Sequence, residues 1–459
     1  MGRVVIGTVL VANRGEVAVR VVRACRLLGI RSVVAHSTAD RDTLPVRLAD
    51  DSVCVGPGPA EHSYLSVPAL LYACARAGAD AVHPGYGFLA EDPDFAAACR
   101  DSGLTWIGPD PGHIALLGDK IATRNEVAAA GLPVPPGSRA PVTGPADAAR
   151  QARGIGYPVA LKAASGGGGR GVHRVDDDEQ LAERFDRARD AARALFQDDR
   201  LYVEKWIGDA RHVEVQVLAD RHGGVVHLGE RDCSVQRRHR KLVEESPAPG
   251  LSAARRAALG DWAVRAARHL GLRNLATVEF LLDAGGGLHF TEINPRLQVE
   301  HPVTEARTGL DLVAWMIREA AGEPVPCRQD DVRPRGHAVE ARISAEDPDH
   351  DWAPRCGTVT DLVLPGGPGI RVDTWLTRGA TVSPHYDPLL AKVVAWAPDR
   401  DTARRRLVQA LREFSCSGVA HNAKALTEIL DHDEFRRGEH RAGVVERAVR
   451  RPGGEADAR

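Results

Sequence analysis

Apolar and polar positions along the first hundred residues follow the spacing of strands and helices in turn. The run TVLVAN is typical of a strand, RGEVAVRVVRACRLLGI places its apolar residues on one helical stripe, and RSVVAHS is typical of the next strand. Further segments continue the alternation as far as LTWIGP. This order predicts a doubly wound α/β domain. The first turn, ANRGEVA, lacks the GxGxxG pattern, so we do not expect a dinucleotide there.

Four consecutive glycines interrupt the segment GYPVALKAASGGGGRGVHRV. A flexible linker is the simplest alternative, but PVALK and VHRV on either side are both typical of strands. A Walker-type phosphate loop ends in Gly-Lys-Ser/Thr and opens a helix, whereas this loop ends in Arg-Gly and opens a strand. The pattern therefore predicts a β-hairpin whose glycine loop lies over a phosphate chain as a mobile lid.

Acidic and amide side chains stand in two predicted strands, LATVEFLLD and GLHFTEINPR. Glu292 and Asn294 are two positions apart, so they share one strand face. A hairpin turn at 283–287 would bring Glu279 close to the position opposite Glu292. Two carboxylates and an amide oxygen suit Mg²⁺ that bridges nucleotide phosphates. The alternative is a solvated strand face, but the apolar neighbours of these residues favour a buried hairpin.

The densest basic run of the chain is ERDCSVQRRHRKLVEE. A basic surface loop is the usual outcome for such a run. Nucleic-acid binding is disfavoured because no aromatic residues are interleaved with the charges. The flanking acids and the apolar VVHLG before the run favour an anion site inside a cleft. Directly after the metal candidates, Arg296 and Glu300 add a pair that can hold a small anion and accept its proton.

Composition excludes several classes of function. The net charge is −2 and no apolar run approaches the roughly 18 residues of a membrane span, so neither nucleic acid nor a membrane is an expected partner. Eight cysteines without a CxxC pair, and a start that lacks a signal peptide, predict a cytoplasmic protein with reduced thiols. Lysine is a compact point charge suited to phosphate. Only six lysines occur, and four lie beside the polar motifs: Lys120, Lys162, Lys205 and Lys241.

The pattern changes at Gly336 to short strands separated by Pro and Gly turns. GHAVEARIS, GTVTDLVL, GIRVDTWL and LLAKVVAW are each typical of a strand, and RDTARRRLVQALREF is typical of a helix. The polar end of the chain, RRPGGEADAR, is expected to be disordered. These features predict a C-terminal, mainly β domain.

Taken together, these motifs resemble biotin carboxylase, a family of ATP-grasp enzymes, over nearly the whole chain. The family's order is kept by ANRGE, HPGYGFL, GDK, SGGGGRG, RHVEVQVL, ERDCSVQRRHRKLVEE, INPRLQVEHPVTE and GHAVEARISAEDP. The last of these separates the family from other ATP-grasp ligases. The resemblance implies an N-terminal domain at 1–117, an ATP-grasp domain at 118–333 with its lid at about 134–206, a C-terminal domain at 334–448 and a tail at 449–459.

The resemblance also implies roles for individual residues. It assigns ATP to Lys120, Lys162, Gly168, Gly169, Glu204, Lys205, Trp206, Ile207, His212, Gln236 and His239. It assigns Mg²⁺ or Mn²⁺ to Glu279, Glu292 and Asn294. It assigns bicarbonate to Lys241, Arg296, Gln298 and Val299. Glu300 corresponds to the base that deprotonates bicarbonate, and Arg342 to the residue that stabilises the biotin enolate.

The implied reaction is the ATP-dependent carboxylation of biotin by bicarbonate through carboxyphosphate, the first half-reaction of acetyl-CoA or acyl-CoA carboxylase. The implied partners are a separate biotin carboxyl carrier protein and carboxyltransferase subunits, and a homodimer is expected. Alternatives remain at this stage: a fragment of a longer fused acyl-CoA or pyruvate carboxylase, an ATP-grasp ligase for another carboxylate, and an inactive scaffold. The sequence does not fix the acyl-CoA that is finally carboxylated.

Overall fold

The computed structural model describes residues 4–166 and 169–449. Gly168, assigned above to the glycine loop over ATP, and residues 450–459 of the expected tail lie outside the described residues. Within the described part of the chain, no helix is both long and apolar enough to cross a membrane.

The N-terminal part of the chain is built on a parallel sheet. Its strands are β1 (Thr8–Val11), β2 (Arg31–Ser37), β3 (Asp51–Gly56), β4 (Ala81–His83) and β5 (Thr105–Trp106). Its helices are α1 (Gly15–Leu27), α2 (Leu44–Leu48), α3 (Val67–Ala77), α4 (Pro93–Asp101) and α5 (Pro111–Gly118). The strand order β3-β2-β1-β4-β5 confirms the predicted doubly wound α/β domain. Within β1, Val9 and Leu10 enter cores on opposite faces of the sheet.

A small three-stranded sheet carries the glycine loop. Helix α6 (Lys120–Ala129) leads to its elements, which are α7 (Pro145–Ile155), β6 (Val159–Ala163), β7 (Val172–Val175), α8 (Asp178–Phe196) and β8 (Leu201–Lys205). Strands β6 and β7 pair antiparallel on either side of the loop, as predicted. This unit, called the lid sheet below, has the strand order β7-β6-β8 and its own apolar core with α7 and α8.

The central and C-terminal elements share one large antiparallel sheet. The central elements are β9 (Arg211–Ala219), β10 (Val225–Arg237), β11 (Arg240–Ser246), α9 (Ala253–His269), β12 (Asn274–Leu282), β13 (Leu288–Asn294), α10 (His301–Thr308) and α11 (Leu312–Ala320). The C-terminal strands are β14 (His337–Ser344), β15 (Glu346–Asp347), β16 (Ala353–Pro354), β17 (Gly357–Thr358), β18 (Asp361–Val363), β19 (Ile370–Thr374), β20 (Thr381–Val382), β21 (Leu389–Ala397) and β22 (Ser415–Ser417). The C-terminal helices are α12 (Arg400–Glu413), α13 (Ala423–Asp431), α14 (Asp433–Arg437) and α15 (Val444–Ala448).

The large sheet has the strand order β13-β12-β9-β10-β11-β14-β21-β19. Strand β11 pairs with β14, so the sheet runs without a break from the central strands into the C-terminal ones. Side chains from β11 and β14, which lie on either side of the domain boundary expected at residue 333, therefore stand side by side on one sheet face.

The basic run at 230–245, to which the sequence assigned no secondary structure, forms the paired strands β10 and β11, which turn at Arg238 and His239 with positive φ angles of 49° and 63°. One expectation about the C-terminal strands is corrected by the structure. The segment GTVTDLVL is not one strand. Its chain changes partner after Val359, so β17 pairs with β20 whereas β18 pairs with β22.

Candidate active site

A cavity of about 860 Å³ lies between the lid sheet, the hairpins β10–β11 and β12–β13, and the beginning of α1. Except for Gly168, every residue that the sequence assigned to the site lines this cavity: Lys120, Lys162, Gly169, Glu204, Lys205, Trp206, Ile207, His212, Gln236, His239, Lys241, Glu279, Glu292, Asn294, Arg296, Gln298, Val299, Glu300 and Arg342. The fold therefore gathers residues from distant parts of the chain into one cleft.

The hairpin β12–β13 carries the predicted metal ligands. Its register places Glu279 directly opposite Glu292, as the sequence predicted. Asn294 donates from Nδ2 to the Oε1 atom of Glu279 at 2.8 Å, while its own oxygen accepts from Arg296 at 3.3 Å. Two carboxylates and one amide thus converge on the cleft. This donor set fits a hard divalent cation, provided that the amide of Asn294 rotates to present its oxygen.

Cations neutralise both of these carboxylates. The Nζ atom of Lys120 lies 2.5 Å from Oε2 of Glu292. Burial alone would raise the pKa of Glu292, but the charge and hydrogen bond of Lys120 outweigh it and lower the pKa to about 2. His212 lies 3.0 Å from Glu279. Burial would lower the pKa of His212, but the Glu279 carboxylate outweighs it, and the pKa rises to about 10. Each carboxylate of the metal hairpin is therefore paired with a cation on the wall of the cleft.

Lys241 stands at the centre of the acidic face. Its Nζ atom lies 2.5 Å from Glu300, 2.6 Å from Glu214 and 3.3 Å from Glu279. Burial favours the neutral amine, but these carboxylates outweigh it and hold the pKa of Lys241 well above its usual value. Conversely, Lys241 outweighs the burial of Glu300 and lowers the pKa of that carboxyl. Glu300 is therefore ionised at neutral pH and held beside a fixed cation.

Arg296 closes the same end of the cleft. Its guanidinium donates to Gln298 Oε1 at 2.8 Å and lies 2.8 Å from Glu91, at the end of the HPGYGFLAE motif. Gln298 in turn donates to Glu279 at 3.4 Å. These bonds connect Arg296 through Gln298 to Glu279, which also contacts Lys241, so both cations line the same cleft and are available to a small anion.

Arg342 enters from the C-terminal strand β14. It contacts Glu244 and lies 2.9 Å from Oε2 of Glu300. Since β14 pairs with β11, this arginine stands beside the central strands although it lies beyond residue 333. Arg342 thus lines the cleft and contacts the base candidate Glu300.

The opposite end of the cleft is formed by the lid sheet. The segment from Glu204 to Ile207 lines it at the end of β8. Lys162 contacts Glu204, whereas Lys205 turns away and donates to the carbonyl oxygens of Gly156 at 2.8 Å and Tyr157 at 3.1 Å. A ligand here would therefore meet the backbone of Lys205 and not its ammonium. Gly169, with a φ of 71°, lies against the ring of His239, so the lid reaches the β10–β11 turn.

Several residues of the site were not assigned by sequence reasoning. Glu214 bonds Lys241 and also accepts from Arg231 at 2.6 Å. Strand alternation could have found Glu214, because it follows His212 by two positions on one face of β9. Glu244 could not be found in this way, because its partner Arg342 comes from a strand far along the chain.

The fold and the cleft define an ATP-grasp ligase: the small sheet that carries the glycine hairpin and a large antiparallel sheet that carries paired carboxylates and lysines line one cleft. Residues 119–328 match the family described as the carbamoyl-phosphate synthase L chain, ATP binding domain. On either side, residues 5–114 match the biotin carboxylase N-terminal domain and residues 340–447 match the biotin carboxylase C-terminal domain.

Curated relatives and solved structures agree with these matches. The biotin carboxylase of Nostoc sp. is 45% identical over 430 residues, which cover 94% of this chain and 96% of the relative. A Campylobacter jejuni biotin carboxylase, solved as a β-γ-ATP complex, is 38% identical with a TM-score of 0.94 and covers 96% of this chain and 99% of its own. The biotin carboxylase domain dimer of Hydrogenobacter thermophilus 2-oxoglutarate carboxylase was solved with MgADP, ADP and bicarbonate. It is 42% identical with a TM-score of 0.93, and the match covers 96% of this chain and 97% of the solved one.

The chain belongs to the biotin carboxylase family. Its activity is the ATP-dependent carboxylation of biotin.

Proposed function

We propose that the cleft first activates bicarbonate with ATP and then passes the carboxyl group to biotin, with the residues below in stated roles. The observation that carries this proposal is the position of Lys241. It joins the metal hairpin, through Glu279, to the base candidate, through Glu300. One cation thus stands where a phosphate and a small anion would meet.

In this proposal ATP lies under the glycine loop. Its phosphates face Lys120, Lys162 and His212, while the backbone from Glu204 to Ile207 meets the adenine. Trp206 lies in this adenine-side segment, and Gln236 and His239 stand on the ribose side, covered by Gly169. The C. jejuni protein was solved with β-γ-ATP and the H. thermophilus protein with MgADP, which supports nucleotide binding by this fold. The lid would be the segment at about 134–206 of an ATP-grasp domain at 118–333.

Glu279, Glu292 and Asn294 would hold Mg²⁺ or Mn²⁺. The ion supplies positive charge to the phosphates when bound. The residues around this site already place positive charge on the same wall, since Lys120 and His212 are both held protonated by these carboxylates.

Bicarbonate would lie between Lys241, Arg296, Gln298 and the backbone of Val299. Glu300 accepts its proton while a bicarbonate oxygen attacks the γ-phosphorus and ADP leaves. A carboxyl with a lowered pKa is a weak base. Proton transfer must therefore accompany formation of the phosphorus–oxygen bond. The fixed cations of Lys241 and Arg296 favour this step because they stabilise the charge that develops on carboxyphosphate.

Carboxyphosphate then yields CO₂ and phosphate in the closed cleft. The phosphate takes the proton of the biotin ureido nitrogen, and the nitrogen attacks CO₂. Arg342 stabilises the negative charge of the deprotonated ureido group. Its guanidinium is fixed for this role by Glu244 and Glu300.

The finer partners belong to the same proposal. We expect an N-terminal domain at 1–117 and a C-terminal domain at 334–448, biotin delivered by a separate carrier protein, and a carboxyltransferase that consumes carboxybiotin. The H. thermophilus relative is a dimer, which supports a homodimer here. A cytoplasmic location is expected.

The test is to separate nucleotide binding from turnover. We expect ADP formation by the unaltered chain to require both bicarbonate and biotin. Lys241→Gln and Arg296→Ala should each abolish that activity and leave the affinity for an ATP analogue within about twofold, because these residues contact the other substrate. An equal loss of analogue affinity and turnover would place them on the nucleotide and contradict the proposal.

A further inference from the structure

A fully buried lysine lies beneath the cleft and has no role in the scheme above. Lys392 on β21 has no exposed surface. Its Nζ atom donates to the carbonyl oxygen of Val299 at 2.9 Å and lies 3.3 Å from Oε2 of Glu16. A buried ammonium is costly unless charge and hydrogen bonds compensate it. The fold thus maintains Lys392 at this place with partners from two other parts of the chain.

The partners of Lys392 come from motifs near the N-terminus that the scheme leaves unexplained. Glu16 lies in the first turn of α1, within ANRGE, and accepts a hydrogen bond from the hydroxyl of Tyr86 in HPGYGFL. The ring of Tyr86 lies 5.9 Å from the Lys392 ammonium. Lys392, Glu16 and Tyr86 together are called the brace below.

The hydrogen bond to Val299 has a direct geometric consequence. The carbonyl of Val299 and the backbone nitrogen of Glu300 belong to one planar peptide unit. Fixing that carbonyl therefore fixes the start of the backbone of Glu300, which precedes the first residue of α10. On its cleft side this short segment carries the bicarbonate candidate Val299 and the base candidate Glu300.

We propose that Lys392 is a positioning residue for bicarbonate activation: by holding the Val299 carbonyl it orients the peptide that carries both the bicarbonate contact and the base. This inference rests on the proposed function. It gives the ANRGE and HPGYGFL motifs a task in the reaction, because Glu16 and Tyr86 hold the ammonium in place. Lys392 itself touches no substrate.

The competing explanation is that Lys392 only neutralises Glu16 and joins α1 to β21. The two explanations differ in which bond matters, the one to the Val299 carbonyl or the one to Glu16. Burial raises the pKa of Glu16 to about 7 even with Lys392 present. Without the ammonium, Glu16 should therefore accept a proton at neutral pH, and the fold should tolerate the loss of the charge pair.

The experiment uses two variants. Lys392→Met keeps a side chain of similar length but removes the ammonium that donates to Val299. The double variant Glu16→Gln/Lys392→Met also removes the carboxylate that would be left without its cation. Lys424→Met is the matched control, since Lys424 is exposed on α13. For each we would measure KM for bicarbonate, KM for ATP and the melting temperature. Loss of a hydrogen bond from a charged donor should raise KM for bicarbonate about tenfold or more. KM for ATP should stay within about twofold.

The double variant decides between the explanations. We expect it to melt within a few degrees of the unaltered chain and to keep the raised KM for bicarbonate. A double variant with normal melting and normal KM for bicarbonate would show that Lys392 is only structural. Equal increases of KM for ATP and bicarbonate would also overturn the proposal. If the unaltered chain does not need bicarbonate and biotin to form ADP, the proposed function fails first, and this inference fails with it.

Discussion

Glu244 and Glu245 are neighbours on β11 and point to opposite faces of the large sheet. Both are buried, with 0% and 1% of their surface exposed. Glu244 lies on the side of the sheet that carries the cleft, and its arginine, Arg342, lines the cleft and is shared with Glu300. Glu245 faces away and receives two bonds from Arg400, at 2.7 and 2.8 Å, and one from His337 at 2.6 Å.

The two carboxyls respond to burial in opposite ways. Burial raises the pKa of Glu244 to about 7, because the shared Arg342 compensates it only in part and Glu300 adds negative charge. Burial would also raise the pKa of Glu245, but His337 and Arg400 outweigh it and lower the pKa to about 2. A functional and a structural cluster of buried charges thus differ in how their acids are compensated. In the structural cluster each acid has an arginine of its own, whereas in the cleft the acids share cations that a substrate must also meet.

The structural cluster extends around Glu245. Arg211 forms a bidentate contact with Asp232, at 3.0 and 2.6 Å. His440 lies between Asp232, at 3.3 Å, and Glu245, at 3.6 Å. These residues join the central strands to the end of the described chain, and none of them lines the cleft. We therefore assign stability to this cluster and chemistry to its neighbour across the sheet.

The largest expected effect comes from the cleft. Glu300→Gln should lower biotin-dependent ADP formation by roughly 1,000-fold, because a positioned general base contributes about 10² to 10⁴ in rate. Its melting temperature should change little, since Lys241 retains Glu214 and Glu279. Steady-state kinetics would be compared with Glu413→Gln, an exposed exchange on α12. If Glu300→Gln formed ADP at a rate within tenfold of the unaltered chain, Glu300 would not be the base.

In the structural cluster, substitution should lower stability and leave activity nearly unchanged. Arg400→Met leaves Glu245 with fewer partners and should lower the free energy of unfolding by about 3 kcal/mol, which is typical of breaking a buried ion pair. Its turnover at 20 °C should stay within about twofold. Arg405→Met, on the exposed side of the same helix, is the matched control. Urea unfolding measures the first effect. A stable Arg400→Met variant with impaired turnover would invert our assignment of the two clusters.

The pH dependence of stability should distinguish the neighbouring glutamates. The pKa of Glu244 is above that of an unfolded glutamate, so Glu244 costs stability as pH rises from about 4.5 to 7. The pKa of Glu245 is below it, so its stabilising effect is present above pH 4.5 and is lost as pH falls towards 2. Relative to the unaltered chain, Glu244→Gln should gain roughly 2 kcal/mol between pH 5 and 8.

Glu245→Gln should instead recover stability relative to the unaltered chain as pH falls from 6 to 3. Melting temperatures of both variants across this range give the two slopes. If the difference in melting temperature from the unaltered chain changed with pH in the same direction for both variants, the pKa values of Glu244 and Glu245 would not be shifted in opposite directions.

The smallest expected effect concerns Glu292, an acid of the cleft that has a cation of its own. Glu292 lies in the cleft, yet its own lysine, Lys120, lowers its pKa to about 2, as in the structural cluster. If Glu292 is a metal ligand, Glu292→Gln should raise the Mg²⁺ concentration for half-maximal activity about tenfold. Titration of Mg²⁺ at saturating ATP measures this. An unchanged midpoint would assign Glu292 to the structural kind.

Sequence reasoning predicted the parts of the fold in which apolar alternation is strong. It placed the α/β start, the glycine hairpin, and Glu279 opposite Glu292, because each depends on local periodicity and one short turn. It did not predict the strands β10 and β11, since their charged residues obscure the alternation. Those charges are buried only because partners such as Glu214 and Arg342 arrive from other strands.

The same reason explains why Lys392 was not found. Its strand, LLAKVVAW, is typical of a buried element, and a lysine there has no local explanation. The partners that account for it, Glu16 and the Val299 carbonyl, are brought near only by the continuous sheet and the packing of α1 against β21. Residues whose role depends on partners of this kind require the structure.

The most direct test of the account is the fate of the oxygen atoms of bicarbonate. If bicarbonate attacks the γ-phosphorus of ATP, one of its oxygens must stay on the phosphate when carboxyphosphate loses CO₂. With ¹⁸O-labelled bicarbonate, biotin and ATP, mass spectrometry should find one ¹⁸O atom in each phosphate released. Phosphate that contains only unlabelled oxygen, formed at the same rate, would mean that water is the nucleophile and would contradict the function assigned to this cleft.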